Sequence, residues 1–137
     1  MGEKVRRVDY FYVEVDDRPG EGAKVLGKLR DAKVNLLAFT AFPAGKGRAQ
    51  LTLVPERGDA LEAAARGAGL KLSARKECFL VQGDDRVGAA CDVLGRLAEA
   101  KVNCVSAQAA AAPGGKYGMV IFVRPPDLGA ATKALGA

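Results

Sequence analysis

The side chains able to do chemistry are few and sharply restricted. No histidine occurs in the 137 residues, which removes imidazole and with it the serine and cysteine triads and most zinc hydrolases. Cys78, Cys91 and Cys104 follow one another at intervals of 13. That spacing fits no CxxC metal site, and an odd count argues against full disulfide pairing. Each sits in an apolar stretch, so three buried, reduced thiols are expected, in keeping with a cytoplasmic compartment. What remains are two charged loops, Asp16-Asp17-Arg18-Pro19-Gly20 and Asp84-Asp85-Arg86-Val87-Gly88. Their carboxylates could form an acid–base pair, but nothing in the sequence positions one or supplies a nucleophile. No metal and no cofactor are therefore expected, and an enzyme is not.

The two loops open the two copies of an internal repeat. Residues 16–35 read DDRPGEGAKVLGKLRDAKVN and residues 84–103 read DDRVGAACDVLGRLAEAKVN, an ungapped offset of 68 with 12 of 20 positions identical. Beyond this block Arg48 falls on Lys116, Val54 on Phe122 and Asp59 on Asp127. The repeat predicts two modules, residues 1–75 and 76–137.

The patterning within each copy predicts the elements that hold the loops. Residues 8–15 (VDYFYVEV) alternate, with Phe11, Val13 and Val15 on one face and Tyr10, Tyr12 and Glu14 on the other, as a half-buried strand requires. Pro19 and Gly20 break it. Ala23, Val25, Leu26, Leu29 and Ala32 then trace an apolar helical stripe over 22–33. Strands follow at 34–42 and 48–54 around a Pro-Ala-Gly-Lys-Gly turn. An Ala-rich helix over 59–66 has Asp59 as its expected N-cap, and 70–74 is a short fourth strand. The second copy predicts strands at 78–82, 102–110 and 117–124 and helices at 87–101 and 125–135. The order β-α-β-β-α-β predicts an α+β chain of two ferredoxin-like modules: antiparallel sheets with the helices on one face, merged side by side. The second copy ends before its fourth strand, and an uncovered sheet edge invites pairing. Residues 4–7, or a strand of another subunit, are expected to fill it.

Composition narrows the partners. The formal charge is +5, but no Lys/Arg run exceeds two residues, so a solvated basic surface is the simplest reading. An RNA-binding module of this fold needs stacking aromatics on its third strand. Here that strand is RAQLTLV in the first copy, and the second offers only Tyr117 and Phe122 at its two ends, so nucleic acid is not expected. No apolar run reaches the roughly 18 residues of a membrane helix. The charged lead-in MGEKVRR does not read as a signal peptide.

The repeated pattern of a strand, D-x-P-G, a helix with V-L-x-x-L, and A-x-V-N before the next strand resembles the ACT domain, a small regulatory module of amino-acid metabolism. It is carried by Asp17, Pro19, Gly20, Val25, Leu26, Leu29, Val34 and Asn35, and again by Asp85, Gly88, Val93, Leu94, Leu97, Val102 and Asn103. The resemblance covers nearly the whole chain and is that of a free-standing tandem ACT protein. It implies a small effector, such as an amino acid, bound between modules through the loop after strand one and the start of strand two. The implied ligand-binding residues are Asp17, Arg18, Pro19, Gly20 and Asn35, with Asp85, Arg86, Gly88 and Asn103. It further implies a homodimer and a partner enzyme or regulator.

The chemistry suits those positions. A loop leading into a helix N-terminus presents free N–H groups to a carboxylate, and Asn supplies both donor and acceptor for a zwitterion. Gly22 is expected to keep side chains away from the ligand. Each residue also has a purely structural reading: the aspartates as helix caps, the arginines as solvated charges, the asparagines as polar strand starts. Val87 replaces the family's proline and Gly22 replaces a large apolar residue, so the two half-sites differ, and the Pro19 loop is the favoured one. The alternative function is a ligand-free oligomerisation module.

Overall fold

A computed structural model describes residues Glu3–Ala137, so Met1 and Gly2 of the charged lead-in lie outside the described residues. The chain divides into two compact units. One is Asp9–Lys76; the other joins the described residues up to Val8 to Glu77–Ala137. The boundary thus falls inside the first strand, β1 (Lys4–Asp16). The structure is α+β, with the antiparallel strands and helices of a βαββαβ-like arrangement.

In the Asp9–Lys76 unit, β1 continues into α1 (Glu21–Asp31), β2 (Leu36–Gly45), β3 (Arg48–Pro55) and α2 (Gly58–Ala68), with strand order β2-β3-β1. The register pairs Phe11 with Leu53, Val13 with Leu51 and Asp16 with Arg48. Phe11, Val13, Leu51 and Leu53 therefore share one face, where they pack on Val25 and Leu29 of α1 and Leu61 of α2. The alternation seen in the sequence is the alternation of the pleat.

In the Glu77–Ala137 unit, β4 (Lys76–Asp84), α3 (Ala89–Glu99), β5 (Cys104–Ala112), β6 (Lys116–Val123) and α4 (Leu128–Leu135) repeat the order, with a 3₁₀ turn at Pro125–Asp127. Phe79, Val81, Met119 and Ile121 face Val93 and Leu97 of α3 and Ala131 and Leu135 of α4. Within this unit the strand order is β1-β4-β6-β5. The first residues of β1 take the fourth-strand place, with Val5 packed against the core. The Arg7 guanidinium donates to Thr132 Oγ1 at 3.2 Å and pairs with Glu77.

Three sequence expectations are corrected. Residues 70–74 form no strand. Ser73 N–H donates to the Tyr12 carbonyl at 2.8 Å, but the return bond from Tyr12 N–H goes to Ser73 Oγ at 2.9 Å. A hydroxyl has replaced a backbone carbonyl, which is how serine competes with regular ladders. Asp59 does not cap α2: Arg57 holds the N-cap position, and Asp59 lies in the first turn, accepting from Ala60 N–H at 2.9 Å and pairing with Arg57 at 3.3 Å. Nor are all three cysteines buried: Cys78 is buried, Cys104 is half-buried and Cys91 is exposed on α3.

The repeated A-K-V-N block acquires a structural meaning. Lys33 and Lys101 both have φ 60. Val34 N–H donates to Leu29 O, and Val102 N–H to Leu97 O, each at 2.9 Å. Lys33 N–H donates to Arg30 O and Lys101 N–H to Ala98 O. These are Schellman stops, with lysine in the left-handed position usually held by glycine.

Leu97 is 1% exposed. Leu97→Ala should cost about 2–5 kcal/mol through the cavity it leaves. Urea denaturation followed by circular dichroism reads this directly; a loss below about 1 kcal/mol would contradict the packing.

Candidate functional site

The two D-D-R loops have one construction. Asp16 Oδ1 accepts from Arg48 at 2.7 Å, and Asp84 Oδ1 accepts from Lys116 at 2.6 Å. The next residue donates its N–H across the hairpin, Asp17 to Gly47 O at 2.9 Å and Asp85 to Gly115 O at 2.8 Å. So Asp16 and Asp84 fasten the loop to the following hairpin. The helix N-caps are Gly20 (φ 91) and Gly88 (φ 86), neither helix receiving a side-chain cap. The capping role expected of the aspartates is absent at both helices, because a left-handed glycine already turns the chain there. The Lys116 hydrogen bond, reinforced by its charge, holds the Asp84 carboxyl below the usual carboxylate range.

In the Glu77–Ala137 unit the loop borders a groove of about 250 Å³. Asp85, Arg86 and Gly88 line one side with the first turn of α3, Ala89, Ala90 and Cys91. Ala109, Ala110 and Ala111 of β5 and Tyr117 of β6 line the other. In the first turn of α3 the Ala89 N–H donates to the Arg86 carbonyl at 3.2 Å; the N–H groups that follow in that turn have no partners within the helix, and Gly88 brings no side chain to them. Arg86 pairs with Asp92 at 2.6 Å, and that hydrogen bond is the main reason its guanidinium holds its proton more tightly than usual. Burial, then the neighbouring Glu3 charge, raises the Tyr117 hydroxyl, which stays protonated and able to donate. The groove therefore offers a fixed cation, a carboxylate, helix-end donors and a phenol.

The other predicted residues are placed differently. Asp17, Arg18, Pro19 and Gly20 are exposed, and Arg18 is drawn to Asp16 and Glu21 at 3.2 and 3.5 Å. Gly22 is half-buried, and a Cβ there would stand 3.4 Å from Leu51 Cδ2, so its bareness accommodates the core side. Asn35 and Asn103 are exposed and sit at the far ends of their units from the loops. Leu36 pairs with Pro55 at one end of β3, while Asp16 pairs with Arg48 at the other. Seven residues of strand make that roughly 23 Å. The structure thus unites Asp85, Arg86 and Gly88 in one groove and separates Asn103 from them. Sequence reasoning missed Tyr117, the alanine wall of β5 and the first turn of α3. An alternating apolar strand hides a tyrosine that ends beside a loop, and alanines carry no chemical signal. Among the described residues no group of three or more Cys, Asp and Glu is placed to hold a metal ion, and no helix is long and apolar enough to cross a membrane.

No family model matches the chain, and no curated protein matches it by sequence. Solved structures do match. A protein of Bacteroides thetaiotaomicron superposes with TM-score 0.80 at 17% identity, over 96% of this chain and 88% of that one. The ligand-free regulatory subunit of aspartate kinase from Thermus thermophilus gives 0.65 at 16% identity, over 99% and 95%. Aspartokinase III of E. coli, in complex with aspartate and ADP, gives 0.52 at 18% identity, over 97% of this chain and 32% of that one. At these identities the likeness is one of fold, and the fold is ACT-like.

Because its pKa is depressed in the folded chain, Asp84 contributes stability above the ordinary carboxylate range, and that contribution is lost as pH falls through the depressed value. Lys116→Gln should move the Asp84 titration upward. Carboxyl-detected NMR titration of the two proteins checks this, and identical midpoints would rule out the pair as the cause.

Proposed function

We propose that the chain is a non-catalytic, tandem ACT-type regulatory protein that binds an amino acid or similar small effector and reports its level to a partner enzyme or regulator. The observation that carries this reading is the groove at the second loop, which sets Asp85, Arg86, Gly88 and the first turn of α3 around one small volume. An α-amino acid carries one anion and one cation on adjacent atoms. Arg86 and the α3 N–H groups suit its carboxylate, and Asp85 suits its ammonium. A groove of about 250 Å³ lies just below the roughly 300–1,000 Å³ of ligand sites, a size for an amino acid rather than a nucleotide. The alanine wall leaves space for the effector's side chain. The ACT-like fold and the regulatory subunits among the structural neighbours support a regulatory rather than a catalytic role.

The first loop, Asp17 to Gly20, is the second half-site in this reading, with Arg18 drawn to Asp16 and Glu21 as Arg86 is drawn to Asp92 and Glu3. Asn35 and Asn103 stand too far from their own loops to share a ligand with them. Cytoplasmic location accords with three thiols outside any disulfide.

The test uses Cys91, which is exposed and lines the groove. Each of the twenty amino acids is screened by thermal shift, and Cys91 alkylation is followed by mass spectrometry. A ligand at 100 times its Kd should add about 2.7 kcal/mol of stability and slow alkylation of Cys91. Arg86→Gln should weaken binding about tenfold or more, as loss of a charge-assisted hydrogen bond worth about 1.5–3 kcal/mol implies. A flat screen with unchanged alkylation would sink the proposal.

A second reading, assembly of copies into a homodimer, is favoured by one specific observation. On β2, the terminal strand of its unit, Phe39 and Phe42 are 40% and 45% exposed. Strand edges with exposed aromatics invite pairing. Phe42→Lys should shift a dimer toward monomer in sedimentation velocity; a monomer in both proteins would exclude assembly through this edge.

A further inference from the structure

Glu3, immediately before β1, lies against the same corner of the Glu77–Ala137 unit as the groove. Its side chain is only 9% exposed. One carboxylate oxygen stands 3.3 Å from an Arg96 guanidinium nitrogen. The other lies 3.5 Å from Arg86, and the Tyr117 hydroxyl donates to it at 3.4 Å. Tyr117 is 6% exposed, so its hydroxyl is a buried donor aimed at a carboxylate. Two guanidiniums and a phenol converging on one anion make a built carboxylate site. All three contacts are long for charge-assisted hydrogen bonds, which run about 2.7–2.9 Å from a guanidinium and about 2.5–2.7 Å from a hydroxyl. The carboxylate is held without being locked. The corresponding positions of the first copy are Arg18, Lys28 and Ala49, so the cluster belongs to the second unit alone, and it is Tyr117 in place of Ala49 that completes it.

We infer that Arg86, Arg96 and Tyr117 form a carboxylate-binding site occupied in the free chain by the chain's own Glu3, and that a carboxylate-bearing effector binds by displacing Glu3. The inference rests on the effector reading above only for the identity of the competitor; the site itself stands on the three contacts. Arg86 and Tyr117 line both this cluster and the groove, so a ligand carboxylate entering the groove meets two of the three groups that hold Glu3. An internal occupant lowers apparent affinity by the fraction of time it is bound. A clasp closed about nine-tenths of the time lowers it about tenfold. Displacement also frees the residue that leads into β1, coupling the site to the strand that completes the unit.

The experiment measures stabilisation of the full chain by the twenty L-amino acids, by amino-acid amides lacking the carboxylate, and by acetate and succinate against chloride of equal ionic strength. The proteins are the natural chain, Glu3→Gln, Glu3→Gln with Arg96→Gln, and Glu3→Gln with Tyr117→Phe, the last removing a single oxygen. The inference predicts about tenfold tighter binding of the carboxylate-bearing ligand by Glu3→Gln, no gain for the amide, and loss of the gain in both double variants. If an amino acid binds the natural chain and Glu3→Gln changes its Kd less than twofold, the clasp is wrong and the effector reading stands. If no amino acid binds either protein, yet acetate and succinate stabilise Glu3→Gln and not the double variants, the site stands and the effector reading falls. If no carboxylate stabilises Glu3→Gln, both fall.

Discussion

The structure depends on β1 satisfying two sets of partners in succession. Its last eight residues lie in the Asp9–Lys76 unit, where Phe11 and Val13 reach into the core. Its first residues take the edge place beside β4, with Val5 on the core and Arg7 fixed to Thr132 and Glu77. A strand has one donor and one acceptor per residue, and buried backbone groups left unpaired are costly. One unit reaches its fourth-strand place with an irregular segment of its own copy around Ser73, and the other with the first residues of β1, which belong to the first copy.

Most of this organisation could be read from the residues, because the signals are local. Period-two alternation at Phe11, Val13 and Val15 and the helical stripe at Val25 and Leu29 are each contained in a short window, and the repeat only sets two such windows side by side. The strand ends, helix ends and hairpins follow within a few residues. What could not be read is what depends on groups distant in the chain. The hydroxyl of Ser73 meets Tyr12 across 61 positions, and Glu3 meets Arg96 and Tyr117 across 93 and 114. No periodicity reports such a pairing.

The candidate site shows the same division. The D-D-R loops stand out because they occur twice, and Asp85, Arg86 and Gly88 of the second loop line one groove. Repetition also drew attention to Asn35 and Asn103, whose block has a structural use of its own. A-K-V-N stops a helix through a left-handed lysine and two carbonyl-directed N–H groups, and the asparagine follows that stop in both copies. A repeat preserves whatever a module needs, whether to turn the chain or to hold a ligand. The sequence alone does not separate the two needs. The loop aspartates are a further case: Asp16 and Asp84 serve the hairpin through Arg48 and Lys116, leaving Asp17 and Asp85 the carboxylates not used in that fastening.

The rung made by Ser73 has a consequence for colloidal behaviour. An extended strand flank offers a row of main-chain groups that any foreign strand can extend. At Tyr12 both of those groups are already engaged, the N–H by a hydroxyl and the carbonyl by an amide from a segment too irregular to pass the pattern onward. An incoming polypeptide finds no template at that rung, which removes one point from which the chain-to-chain growth that seeds fibrils could start.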